Sequence, residues 1–189
     1  GYRSILCCAE IEDARRLRSE IPGSIVGGER DATRIDGFDV GASPREFLEP
    51  RAETLILSTT NGTRAILVAA ERSENVLLGS LLNLDAVVSA ASASDDVSIL
   101  CAGFKGRFAL DDAYCAGRIV ALLGGTRSDS ALAAELLAQA YPNASAGLNA
   151  RTYGPPGLEQ DIAFCAREDV LDVAPRLVDR SDSVATIGL

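Results

Sequence analysis

The sequence predicts an α/β fold: a mostly parallel sheet with helices on both faces, as one domain over residues 1–189 or as two small α/β lobes. Three observations lead there. Short apolar runs of strand length alternate with segments of helical period, most runs end in a polar mouth that carries glycine or serine, and no internal repeat or low-complexity linker divides the chain. Such alternation carries ligands to the carboxyl ends of the strands, where these mouths lie.

Ser4 to Ala9 reads as a buried strand, followed by a surface helix over Glu10 to Glu20 with apolar Ile11, Ala14 and Leu17 on helical spacing. Pro22-Gly23 turns the chain into a short strand, Ser24 to Val26, that opens into Gly27-Gly28-Glu29-Arg30. A loop over 36–44 holds Asp39 between Phe38 and Val40, where a charge needs a partner if it is buried. Asp39 therefore reads equally as a satisfied turn aspartate or as a site carboxylate. Leu55 to Leu57 is the next strand and Arg64 to Glu71 the next helix. Further strands are expected at Asn75 to Leu78 and Val97 to Cys101, with helices at Leu82 to Ala93, about Leu110 to Leu123, Ser128 to Ala140 and Ala144 to Ala150. Arg151 to Leu158 is a loop, Gln160 to Arg167 reads as either strand or helix, and Ser183 to Ile187 is a final strand.

Composition narrows the function. With 189 residues, 47% apolar and 24% charged, the chain can bury a full core, and no apolar run is long enough for a membrane span. A net charge of −9 argues against a nucleic-acid partner, since that affinity rests on clustered Lys and Arg. The absence of histidine removes Ser-His-Asp and Cys-His triads and HExxH zinc chemistry together. Five cysteines without CxxC or zinc spacing read as reduced core thiols of a cytoplasmic protein. A homo-oligomer is compatible with all of this.

Thr59-Thr60-Asn61-Gly62-Thr63 lies between a strand and a helix, where uncommitted N–H groups and the helix dipole favour a phosphate or carboxylate. The plainer reading is a capped turn. Ala102 to Phe108 forms another mouth, with Gly103, Lys105 and Gly106, and leads into Asp111-Asp112 at a helix start. Lys105 is the only lysine among eighteen basic residues. Acids in a first turn usually just complement the dipole.

Taken in order, Gly27-Gly28-Glu29-Arg30, Gly37 to Pro44, Thr59 to Thr63, Gly79 to Asn83, Cys101 to Gly106, Leu110 to Gly117 and Asp161 to Ala166 resemble the 2-phosphosulfolactate phosphatase family over nearly the whole chain. The resemblance implies a magnesium-dependent phosphatase acting on a small phosphorylated sulfo-hydroxy acid, a step toward coenzyme M in organisms that make it. It also implies that the family's first strand, with an Asp-Val-Leu-Arg-Ala-like motif, precedes Gly1 and carries part of the active site.

The residues support the same chemistry. Mg²⁺ prefers oxygen ligands and needs only one or two carboxylates beside substrate oxygens. Asp39, Asp111 and Glu29 are the candidate ligands, with Asp111, Lys105 and Asp39 as catalytic groups. Thr59, Thr60, Asn61, Gly62, Thr63, Arg30 and Gly103 are candidates for holding the substrate. Asp39 and Asp111 are expected to converge on one cleft, with Asp112 as the alternate. A non-catalytic module that binds a phosphorylated or sulfonated metabolite is the rival reading. A nucleotide-dependent transferase ranks lower, for lack of GxxxxGK[ST] and GxGxxG.

Overall fold

The computed structural model describes residues 1–189. The chain forms two compact units, residues 1–76 with 175–189 and residues 77–174.

The first unit holds a six-stranded mixed sheet in the order β3-β2-β4-β1-β6-β5. Its strands are β1 (Ser4–Cys8), β2 (Ile25–Arg30), β3 (Thr33–Arg34), β4 (Thr54–Ser58), β5 (Arg176–Arg180) and β6 (Val184–Gly188). The parallel expectation holds for the centre: β4 runs parallel to β1 and to β2, with Cys7 opposite Leu57 and Gly28 opposite Ser58. The flanks are antiparallel. β3 folds straight back on β2, and β5 and β6 form a hairpin closed by a bond from Ser181 N to Val184 O at 2.8 Å. A connection this short admits only antiparallel pairing.

Helix α1 (Ile11–Glu20) buries Ala14 and Leu17, three residues apart, on a core with Cys8, Val26, Phe38 and Ile56. Glu12 and Asp13 in its first turn and Arg18 in its last suit the macrodipole. Helix α2 (Gly62–Arg72) starts directly after the turn that ends β4, with Asn61 as its N-cap residue, and buries Thr63 and Ala70 one heptad apart. No helix is long and apolar enough to cross a membrane.

The second unit is helical: α3 (Leu84–Ala91), α4 (Leu110–Leu123), α5 (Asp129–Gln139), α6 (Ala144–Asn149) and α7 (Glu159–Cys165). Ser128 caps α5 and Asn143 caps α6 through side-chain oxygens, which accept the Ala131 and Ala146 amides. α4 turns Ala113, Ala116, Gly117 and Val120 inward, and Tyr114 lies in a core with Leu81, Leu84, Ile119, Ala138 and Ala144. The segment read as either strand or helix, Gln160 to Arg167, holds helix α7, which ends at Cys165. The expected strands at Asn75 to Leu78 and Val97 to Cys101 do not form. A strand needs a neighbour. Val76 receives one backbone bond, from Leu177 N at 2.9 Å, while Val97, Ile99 and Leu100 stay exposed in a unit whose ordered elements are helices.

Candidate active site

In the first unit the carboxyl ends of β1, β2 and β4 meet at Arg30. Its guanidinium donates to Ala9 O (2.7 Å), Glu29 O (2.8 Å), Ser58 Oγ (3.0 Å) and Ser58 O (3.2 Å). Ser58 is fully buried and also donates to Ala9 O at 3.2 Å. Gly28 permits this closeness, because a Cβ there would lie 2.0 Å from Ser58 O. Arg30, read from sequence as a substrate ligand, thus carries several hydrogen bonds that tie three strand ends together.

Glu29 is engaged in the same way. Its Oε1 accepts the Thr60 amide at 2.7 Å, and its Oε2 accepts the Thr60 hydroxyl at 3.0 Å and the Ala32 amide at 2.9 Å. Thr59 and Thr63 interlock: Thr63 N donates to Thr59 Oγ1 (3.1 Å), Thr59 N to Thr63 Oγ1 (3.0 Å), and Thr63 Oγ1 to Thr59 O (3.0 Å). The helix start expected at Asn61 to Thr63 is present. Three of the five amides in 59–63, those of Thr59, Thr60 and Thr63, are taken by side-chain oxygens within the unit, so the turn is braced from inside.

Asp39 lies elsewhere. Its Oδ2 accepts the Val26 amide at 2.9 Å, and its Oδ1 pairs with Arg18 at 3.0 Å. Val26 is the second residue of β2 and Arg30 the last, so the carboxylate sits roughly 13 Å back along the strand from the carboxyl edge. This corrects the site reading of Asp39: it is a satisfied turn aspartate, tying the 36–40 loop to β2 and to α1. Asp39 belongs to the first unit and Asp111 to the second.

In the second unit, Phe104-Lys105-Gly106-Arg107 is a two-residue hairpin, with Phe104 N to Arg107 O and Arg107 N to Phe104 O both 3.0 Å. Lys105 (φ 52°) and Gly106 (φ 74°) both take left-handed backbone, as a type I′ turn demands. For a lysine this conformation costs about 1 kcal/mol or more. The hairpin is anchored by Gly103 N, which donates to Asp112 Oδ2 at 2.6 Å. Asp112 is half-buried. Burial raises its pKa above the ordinary aspartate range, the Gly103 bond opposes this, and the Asp111 charge adds to it.

Asp111, in the first turn of α4, receives two donors on one oxygen: Oδ1 accepts the Asp112 amide at 3.1 Å and the Tyr153 hydroxyl. The Tyr153 ring stacks on Phe104 with centroids 4.1 Å apart and planes at 18°. Burial, the bond to Asp111 and the charges of Asp111 and Asp112 push the phenol pKa well up, against a small opposing effect of Arg151. The Lys105 ammonium stands 5.7 Å from the Phe104 ring centre. Sequence reasoning missed Tyr153, which lies 42 residues from Asp111; the only local signal is an aromatic ring in a Pro- and Gly-rich loop.

Magnesium chemistry can be tested against these donors. No group of three or more His, Cys, Asp or Glu residues is arranged to hold a metal ion. Glu29 and Asp39, both in the first unit, spend both oxygens on protein donors. Asp111, with Asp112 beside it, fits the smaller requirement of one or two carboxylates.

An α/β scaffold that presents a braced strand-to-helix turn, a lysine hairpin and an acidic helix start has the parts for handling an anionic ester. The chain belongs to the family described as 2-phosphosulpholactate phosphatase, whose match covers residues 1–180. Among curated relatives, the probable 2-phosphosulfolactate phosphatase of Thermotoga petrophila is 35% identical over 187 residues, 95% of this chain and 81% of that protein. The 2-phosphosulfolactate phosphatase of Methanothermobacter thermautotrophicus is 33% identical over 179 residues, 92% of this chain and 76% of that protein. The probable 2-phosphosulfolactate phosphatase of Thermus thermophilus is 35% identical over 179 residues, 88% of this chain and 75% of that protein.

Proposed function

We propose that this chain is a magnesium-dependent phosphomonoesterase that releases phosphate from 2-phosphosulfolactate or a closely similar phosphorylated hydroxy acid, serving coenzyme M synthesis where that pathway exists. The observation that carries the reading is the family match over residues 1–180, which spans Asp111 and Lys105 as well as the Thr59 to Thr63 turn. Asp111 would hold the cation, which when bound supplies polarisation of the phosphoryl oxygen. Lys105, held at the tip of its hairpin, brings a compact ammonium to offset charge that grows on the ester as its phosphorus–oxygen bond breaks. Gly103 keeps that hairpin on Asp112, so the lysine and the acids move as one piece.

The test is phosphate release by the purified protein from 2-phosphosulfolactate and from a panel of phosphorylated hydroxy acids, with Mg²⁺ and with chelator. Turnover that requires Mg²⁺ and favours the sulfonated ester supports the reading. Turnover unaffected by chelation removes the metal from it. Calorimetric binding of the same compounds without hydrolysis replaces the enzyme with a metabolite-binding module.

A further inference from the structure

Asp111 and Tyr153 come from distant parts of the second unit, α4 and the 151–157 loop, and yet share a hydrogen bond. The tyrosine is held from two directions. Its hydroxyl donates to Asp111 Oδ1, and its ring lies nearly parallel on Phe104, the residue that opens the Lys105 hairpin. Stacking of this kind contributes about 1 kcal/mol beyond the buried area, enough to bias where a loop rests. The two donors to Asp111, the Asp112 amide and the Tyr153 hydroxyl, fall on the same oxygen. A carboxylate anchored through one oxygen has its rotation about χ2 fixed, and its second oxygen is thereby aimed in one direction.

We propose that Tyr153 is a positioning residue for the phosphatase reaction: through its hydroxyl it fixes the rotation of Asp111, and through its ring it docks the Lys105 hairpin beside that carboxylate. This rests on the phosphatase reading above, since it gives Asp111 its role in turnover. A helix-borne aspartate alone has free rotation of its carboxylate, and the reacting geometry of an ester tolerates little of it. The loop carrying Tyr153 therefore acts on the chemistry without touching the ester. Pro155 and Pro156, two and three residues beyond, restrict the backbone that delivers the ring.

Tyr153→Phe removes the hydroxyl and keeps the stack, so it separates the two functions; Tyr153→Ala removes both. With Mg²⁺ and the best ester of the panel, Tyr153→Phe should lower kcat about tenfold with KM within twofold, while the thermal midpoint stays close to that of the unaltered protein. Tyr153→Ala should lose more. A second measurement is independent of turnover: in a proton–nitrogen NMR spectrum, Tyr153→Phe should move the Asp112 amide resonance, which becomes the remaining donor to Asp111 Oδ1, and leave the Ala131 amide in place. A Tyr153→Phe variant with unchanged kcat, or with an unmoved Asp112 amide, overturns the positioning role alone. An unaltered protein inactive on every ester overturns the phosphatase reading and the role with it.

Discussion

Arg30 in the first unit and Asp111 in the second were both read from the sequence as charged groups facing a ligand, yet the structure treats them differently. Arg30 meets carbonyl and hydroxyl oxygens from three strand ends, all local to the sheet edge. Asp111 is met on one oxygen, by its own helix and by a distant loop. A charge bound on several sides by backbone is part of the frame; a charge steered on one side is left with capacity for a reactant. The distinction lies in hydrogen-bond partners, which residue type does not reveal.

The sharpest way to break this contrast is to remove each charge. Asp111→Asn keeps size and helix start but loses the anion, and should cut phosphate release by about two to three orders of magnitude. Its urea midpoint should change little. Arg30→Ala should do the reverse in kind: Ala9 O, Ser58 O and the Ser58 hydroxyl lose their shared donor, and the free energy of unfolding should fall by about 3 kcal/mol, measured by urea titration. If Arg30→Ala folds with unchanged stability and loses turnover, Arg30 is a ligand and the contrast is wrong.

A smaller effect is expected at Asp39. Asp39→Asn retains an oxygen for the Val26 amide and weakens the partly exposed pair with Arg18, so stability should drop by about 0.5–1 kcal/mol. Turnover should remain within twofold of the unaltered protein. A hundredfold loss with normal stability would restore Asp39 as a site carboxylate.

The sequence made the period-driven parts legible. β1, α1, β4, α2 and α4 follow from apolar runs and i, i+3 spacing, and the mouth after β4 was found because a strand ending in hydroxyls and glycine has few other uses. Pairing was not legible. Val97 to Cys101 has strand composition, but a strand is a relation between two segments, and the second unit supplies no partner. β5, with its Arg176, Asp179 and Arg180, has an edge strand's charges, which leave no apolar run to mark it as a strand. For the site, Asp111 and Lys105 were reachable by residue type. Tyr153 was not, because its meaning comes from a contact across 42 residues, and Asp39 was misplaced because strand-end loops and strand-start loops look alike in one dimension.

The mildest prediction uses the cysteines to compare the core of the first unit with the surface of the second. Cys7 and Cys8 on β1 are buried, and burial pushes their thiols up to about 12 and about 11; Cys101 in the second unit is exposed, with burial of its thiol and the nearby Asp112 charge raising its pKa. Alkylation requires access and thiolate together. At pH 8 iodoacetamide should therefore label Cys101 first and reach Cys7 and Cys8 only after denaturant is added, as peptide mass mapping would show. The same shifts give a sign for stability. An unfolded thiol loses its proton near pH 8.5 whereas the folded ones hold theirs toward 11 or 12, so the unfolded state binds fewer protons in between and stability falls as pH rises through that window. Between pH 8 and 9 the loss is below about 1 kcal/mol per thiol. Cys8→Ala should flatten this alkaline slope. Rapid labelling of Cys7 or Cys8 in the native protein would mean that β1 opens to solvent, and that the strand ends joined by Arg30 are a looser frame than their hydrogen bonds imply.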